Sequence, residues 1–382
     1  MSSTTLFTYY FSHLLLFITT NFIILSITII SPSQARHPKA ILSPDLVTVI
    51  PINDYNDPWS SFKRFLDARK GAEVSGMADL KKYFHRFGYL PPPPIACNFT
   101  DTFDAGLESA LIRYQSKLGL PITGRLDSNT LSQIMSPRCG LSDGDTKIVR
   151  DTRTNSTLHG TMHYTHFPGN PKWTRTAPMT LTYAVSPENS VPYLDLKDMT
   201  AAFRRAFARW AAVVPVEFAE VEDYNAADIK VGFYSGDHGD GQPFDGVLGV
   251  LAHAFSPPSG RLHLDAKERW AVDFEAEKSS VAIDLESVAT HEIGHVLGLA
   301  HSSAKEAVMY PSLSPRSKKV DLKWDDVKGV QALYGSNPNF KFSNSLISDT
   351  SSSSSSSGNS VNIAGFGGSM VVMLLILLHV FA

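Results

Sequence analysis

Cysteine is almost missing. Cys97 and Cys139 are the only two among 382 residues, so a disulfide scaffold is excluded and at most one bridge can form. A dominant charge is missing as well: 34 Lys and Arg face 37 Asp and Glu, for a net charge of −3. That balance gives no electrostatic reason to expect nucleic acid as a partner. Hydrophobic residues make up 43% and charged residues 19%, which suits folded domains, and the length allows two or three of them.

Both ends are apolar. Residues 11–30 hold no Asp, Glu, Lys or Arg, and Ser33-Gln34-Ala35 precede the first basic residue, Arg36. This pattern reads as a signal peptide over residues 1–35; an uncleaved membrane anchor is the alternative. At the other end a serine run, Ser351 to Ser357, leads through Gly358-Asn359-Ser360 to an apolar tail, Met370 to Ala382, too short to span a bilayer. Small residues, a spacer and a short tail form the pattern of a GPI-anchor signal. Attachment is expected at Asn359 or Gly358, after a Ser-rich linker over 337–360, with removal of 361–382. A disordered tail with an apolar end is the competing reading. Two sequons, at Asn98 and Asn155, are compatible with secretion.

The chemistry is concentrated in His291-Glu292-Ile293-Gly294-His295-Val296-Leu297-Gly298-Leu299-Ala300-His301. Imidazoles four apart share one helix face and can reach one ion. Gly298 lets the chain leave the helix and return His301 to that ion. Three neutral imidazoles leave one tetrahedral position open, the arrangement of a catalytic zinc. Glu292 can then take a proton from a bound water. A bare H-E-x-x-H can occur by accident on a helix; the glycine and third histidine at fixed offsets make accident a poor account. Met309, in Ala307-Val308-Met309-Tyr310-Pro311, supplies a methionine turn. The whole resembles the metzincin pattern.

Upstream, helical periodicity starts at Met77, with Leu80, Tyr83, Phe84 and Phe87 on one face and Gly88 as terminator. Further helices are expected over Ala105 to about Leu118 and near Ser128 to Met135. Residues 36–60 read as an extended lead-in. The three short helices, over about 75–136, resemble the peptidoglycan-binding-like prodomain of matrix metalloproteinases, although taken alone they could be a wall-binding module. Next stands Pro137-Arg138-Cys139-Gly140-Leu141-Ser142-Asp143. A thiolate is a strong zinc ligand and can fill the open position. The stretch resembles the cysteine switch of that family, departing at Ser142 where animal members show proline. The resemblance implies that Cys139 ligates the catalytic zinc in a latent form and that Arg138 pairs with Asp143. A Cys97–Cys139 disulfide is the alternative; if Cys97 is free, it is expected to be buried or modified. Residues 144–162 lack apolar periodicity and read as a cleavable linker without a run of basic residues.

From His163 the pattern is α+β. Strands are expected over 179–185, 216–221, 228–234, 250–255 and 262–265, an amphipathic helix over 198–213, the metal helix over 285–297 with Asp284 as N-cap, and a last helix over 325–333. The resemblance to matrix metalloproteinases, and to plant members by the Ser-rich tail and the lack of a hemopexin-like domain, implies the metzincin fold over 163–336: a twisted mixed five-stranded sheet with three helices, behind a propeptide over 36–162. It further implies a structural zinc on His238, Asp240, His253 and His263. It implies calcium at Asp245, Gly246, Asp265 and Glu268, with carbonyls from Leu248 and Val250, and a second calcium that would use the Asp228 carbonyl. The bland alternative, a polar surface loop, leaves three histidines on successive strands unexplained. A substrate peptide is expected along the edge strand 249–253, with Leu251, Val288 and Tyr310 lining a pocket for an apolar side chain such as Leu. Asp325 matches the family residue that pairs with the new N-terminus. The expectation is a monomeric, lipid-anchored endopeptidase acting on extracellular proteins.

Overall fold

Aromatic residues at every third position start the first domain of the computed structural model, which describes residues 57–94, 97–144 and 163–341. Residues 1–35 and 361–382, the sequon at Asn155 and the attachment site at Gly358 or Asn359 lie outside the described residues. Trp59, Phe62 and Phe65 are buried around a 3-10 helix, Ser60–Phe65. This corrects the sequence reading, which extends an irregular lead-in to residue 60 and starts the helical domain near 75. Spacing by three matches a 3-10 turn, and the turn is too short to register as a helical period. Trp59 and Phe62 pack edge-on against Tyr83, at ring distances of 5.2 and 6.2 Å.

Helices α1 (Met77–Arg86), α2 (Ala105–Lys117) and α3 (Ser128–Ile134) follow. Asp104 and Asp127 cap the last two through bonds to Leu107 N and Thr130 N. The apolar core they enclose also takes in Phe244, Val250 and Tyr310 of the second domain. The two domains thus share a packed seam, and that seam positions the site.

In the second domain, β1 (Thr165–His166) leads to β2 (Met179–Val185), helix α4 (Leu196–Ala211), β3 (Val216–Glu220), β4 (Ile229–Tyr234), β5 (Ala252–Ala254) and β6 (Arg261–Asp265). The sheet order is β3-β2-β4-β6-β5, parallel except for the β5–β6 pair. The five-stranded mixed sheet is as the sequence implies, and β5 is its edge. Short pairs β7 (Trp270–Ala271) with β8 (Ile283–Asp284), and β1 with β9 (Leu299–Ala300), frame helix α5 (Leu285–Val296). Asp284 caps α5, accepting from Ser287 N at 2.8 Å. Helix α6 (Trp324–Tyr334) closes the domain at Gly335, whose φ is 80°. Every residue of α5 is buried, and Trp210 of α4 donates to Thr290 O at 2.9 Å across the α4–α5 contact. A helix enclosed on all sides suits a ligand platform, because its side chains have one way to point.

Cys97 is exposed and Cys139 buried, and neither is bonded to the other. The disulfide alternative falls, and so does the expectation of a buried Cys97. Asn98 is exposed, as a sequon must be.

Candidate metal centre

Helix α5 places His291 and His295 one turn apart, with their Nε2 atoms 3.0 Å from each other. His291 Nδ1 lies 2.7 Å from Val308 O, and His295 Nδ1 lies 2.8 Å from Leu299 O. A carbonyl only accepts, so both Nδ1 atoms carry the proton and both Nε2 atoms face each other with lone pairs. After α5, Gly298 takes a φ of 104°, where a Cβ would strike Pro171 O at 2.2 Å. The turn brings in His301, whose Nδ1 is 2.5 Å from Asp143 Oδ1 and whose buried Nε2 has no hydrogen-bond partner among the described residues. Three lone pairs converging in a dry site repel one another unless a cation lies between them. Ligand atoms of Cys139, His291, His295 and His301 all lie within 4.8 Å of one another. The donor set fits a catalytic zinc. Burial first, then the neighbouring imidazoles, holds His291 and His295 well below the usual histidine range, so both rest as neutral ligands.

Glu292 is fully buried beside them, and among the described residues no N–H reaches its oxygens. Burial pushes its carboxyl up to about 8, with the Cys139 thiol acting the other way. Burial, then Glu292, pushes the Cys139 thiol well above its ordinary value, so that sulfur needs a cation to become a thiolate.

Residues 137–140 lie in the groove as an added strand. Arg138 N donates to Gly249 O at 3.1 Å, Leu251 N to Arg138 O at 2.9 Å, and Gly140 N to Ala252 O at 2.8 Å. On the other wall Cys139 N donates to Pro311 O at 2.8 Å, and Leu313 N to Pro137 O at 3.1 Å. This delivers Cys139 Sγ to 3.5 Å from His295 Nε2. Arg138 and Asp143 pair at 2.8 Å, both side chains with zero exposure. The guanidinium also stands 3.8 Å from the centroid of the Phe87 ring, and Tyr89 Oη donates to Asp143 Oδ2 at 2.8 Å. Against the cost of burial, Arg138 and then His301 hold the Asp143 carboxyl far below its usual range.

Leu251, Val288 and Tyr310 line one pocket with His291, Glu292, Cys139 and Lys319. Met309 is buried beneath α5. The sequence gives Lys319 and Gly294 no role of their own; a lone lysine and a variable position inside H-E-x-x-H carry no local signal.

His238, Asp240, His253 and His263 form a second cluster within the same span. Asp240 Oδ2 lies 2.8, 2.7 and 2.9 Å from nitrogens of the three imidazoles. His238 Nδ1 is 3.0 Å from Gly236 O, so its Nε2 turns a lone pair toward the carboxylate. Two acceptors at that distance call for a proton or a cation, and the set fits zinc. Nearby, Asp245 accepts from Val250 N, Asp265 from Gly246 N and Glu268 from Leu248 N. Glu268 Oε2 is buried without a hydrogen-bond partner among the described residues; burial, then Asp265, pushes this carboxyl well up. Carboxylates gathered against a glycine-rich loop suit a hard cation such as calcium. Asp228, whose carbonyl the second calcium would use, turns its carboxylate to Arg175 and accepts from Thr182 N at 2.8 Å.

Residues 172–335 match the family profile described as Matrixin, and residues 73–134 match a peptidoglycan binding domain. The chain is 58% identical over 275 residues to Metalloendoproteinase 4-MMP of Arabidopsis thaliana, covering 72% of this chain and 77% of that protein. It is 55% identical over 297 residues to Metalloendoproteinase 1-MMP of the same plant, covering 78% and 79%. Neutrophil collagenase of Homo sapiens is 39% identical over 264 residues, 68% of this chain and 50% of that protein.

Proposed function

The chain belongs to the matrixins, as a zinc metalloendopeptidase of the plant matrix metalloproteinase type, and on that premise we propose that it is made as a latent zymogen and acts at the cell surface on extracellular proteins. One observation carries the reading: three imidazole nitrogens and the Cys139 sulfur converge beside a buried Glu292. His291, His295 and His301 would hold the zinc, which would supply a Lewis acid for the scissile carbonyl and a water of lowered pKa. Glu292 accepts the water's proton and hands it to the leaving amine. The backbone groups of Gly249, Leu251 and Ala252, now bonded to residues 138–140, receive the substrate as an added strand. The side chain after the cut enters the pocket of Leu251, Val288 and Tyr310.

In the latent chain Cys139 takes the position that water needs, and the Arg138–Asp143 pair holds it there. Zinc on His238, Asp240, His253 and His263 and calcium on Asp245, Gly246, Asp265 and Glu268, with the Leu248 and Val250 carbonyls, brace a mature domain that has no cysteine. Secretion, glycosylation at Asn98 and Asn155 and a GPI anchor at Asn359 or Gly358 rest on the terminal patterns alone.

The test is cleavage of a quenched peptide by the activated protein and by Glu292→Ala. Wild-type cleavage that the variant lacks supports the reading; equal rates in both overturn it. A Cys139→Ser precursor should be active without processing. Mass measurement of the purified protein checks both processed ends.

A further inference from the structure

The three imidazoles of the catalytic cluster are not held alike. His291 and His295 donate their Nδ1 protons to Val308 O and Leu299 O, acceptors that stay with the catalytic domain when the propeptide leaves. His301 donates to Asp143 Oδ1 at 2.5 Å, and Asp143 belongs to the propeptide. Both side chains have zero exposure. The other oxygen of that carboxylate takes Arg138 Nη2 and Tyr89 Oη, each at 2.8 Å, so the group is fixed in place.

An anionic acceptor on the far nitrogen orients an imidazole and raises its basicity toward a metal. We infer that Asp143 is a positioning residue for the catalytic zinc: the propeptide gives the metal a sulfur from Cys139 and, through His301, an outer carboxylate as well. The inference rests on the zinc reading above and goes beyond the blocking thiol. Propeptide release then strips two supports, one direct and one through His301. Linkage makes the effect reciprocal: the docked propeptide slows zinc loss, and bound zinc tightens the docking of the segment that carries Asp143. Pairing with Arg138 alone needs neither the carboxylate's second oxygen nor its place over His301.

The experiment uses the full chain with Glu292→Ala to stop self-cleavage. Four proteins are compared in that background: the parent, Cys139→Ser, Asp143→Asn and the double variant. The first readout is the rate of zinc loss to a chromophoric chelator. The second is the visible spectrum after cobalt replaces zinc. Zinc should leave Asp143→Asn about tenfold faster than the parent, since loss of an outer partner typically costs a metal site 10- to 100-fold. The double variant should in turn lose zinc faster than Cys139→Ser, where the thiolate is already gone. The cobalt bands should move between Cys139→Ser and the double variant, a shift that a clamp acting only through Arg138 and the Cys139 sulfur would not produce, since no thiolate is left there to release. Equal rates for the double variant and Cys139→Ser, or an unmoved spectrum, overturn the inference. A parent chain without zinc overturns this inference and the protease reading together; zinc present but indifferent to residue 143 overturns this inference alone.

Discussion

A Cβ placed on Gly294 would stand 2.2 Å from the sulfur of Met309. The methionine turn therefore presses directly on the metal helix at the one residue with no side chain between His291 and His295. Trp210 closes the same space at 3.0 Å. Gly294→Ala should force Met309 aside and destabilise the protein by about 1–3 kcal/mol, the usual cost of overpacking. A thermal melt reads the loss. A variant that melts with the wild type would show that Met309 is not held there.

Asp325 foreshadows activation. Its Oδ1 accepts from the backbone N of His163 at 2.7 Å and of Tyr164 at 2.9 Å, and Ser302 Oγ donates to its Oδ2. A cut just before His163 would turn the first bond into an ion pair with a new α-amino group. Asp325→Asn should then cost the activated protein more stability than the latent chain, by about 1.5–3 kcal/mol for a hydrogen bond to a charged group. Melting curves of both forms, with N-terminal sequencing of the activated one, decide the matter. Equal losses in the two forms would sink it.

Lys319 should give the pocket a second preference. Its ammonium donates to Lys305 O at 2.8 Å and Ala307 O at 3.1 Å, and stands 5.1 Å from the centroid of the Tyr310 ring. Burial lowers its pKa to about 8. A substrate with Glu after the cut should be cleaved alongside the Leu peptide, and Lys319→Leu should cut kcat/KM for the Glu peptide about tenfold, roughly 1.4 kcal/mol. The Leu peptide should barely change. The sign with pH follows from a lysine that is charged below its pKa: the Glu-to-Leu ratio should be flat below pH 8 and fall as pH rises through it. A ratio insensitive to both the substitution and pH rejects the assignment.

Chelation should do more than stop turnover. Metals that bind only the folded chain add about 2.7 kcal/mol at 100-fold excess over Kd. EDTA should therefore lower Tm by several degrees, and His263→Ala should remove part of that drop while His291 and His295 still hold a metal. An unchanged Tm in EDTA would speak against both supporting sites.

The sequence by itself determined the metal chemistry, and it did so through short covalent spacings. His291 and His295 share a face because four residues make about one helical turn, and Gly298 is the residue that tolerates a φ of 104°. Four of the expected strands came through to within a residue, as with Met179–Val185, because alternation is local, whereas 250–255 shortened to Ala252–Ala254 and the two-residue strands β1, β7, β8 and β9 are too short to show a period. Helix α4 starts at Leu196, two residues before the expected Asp198, because Asp195 caps it. Tertiary structure alone decided what lies across the chain. Asp143 reaches His301 over 158 residues, and Gly294 meets Met309 only when two elements pack. Trp59 and Phe62 join the core against Tyr83, and Phe65 packs beside Phe62. Such contacts depend on how separate elements settle against one another. No local periodicity encodes that settlement, since a buried carboxylate, a tight glycine and a pocket lysine acquire their roles from neighbours that the sequence keeps far away.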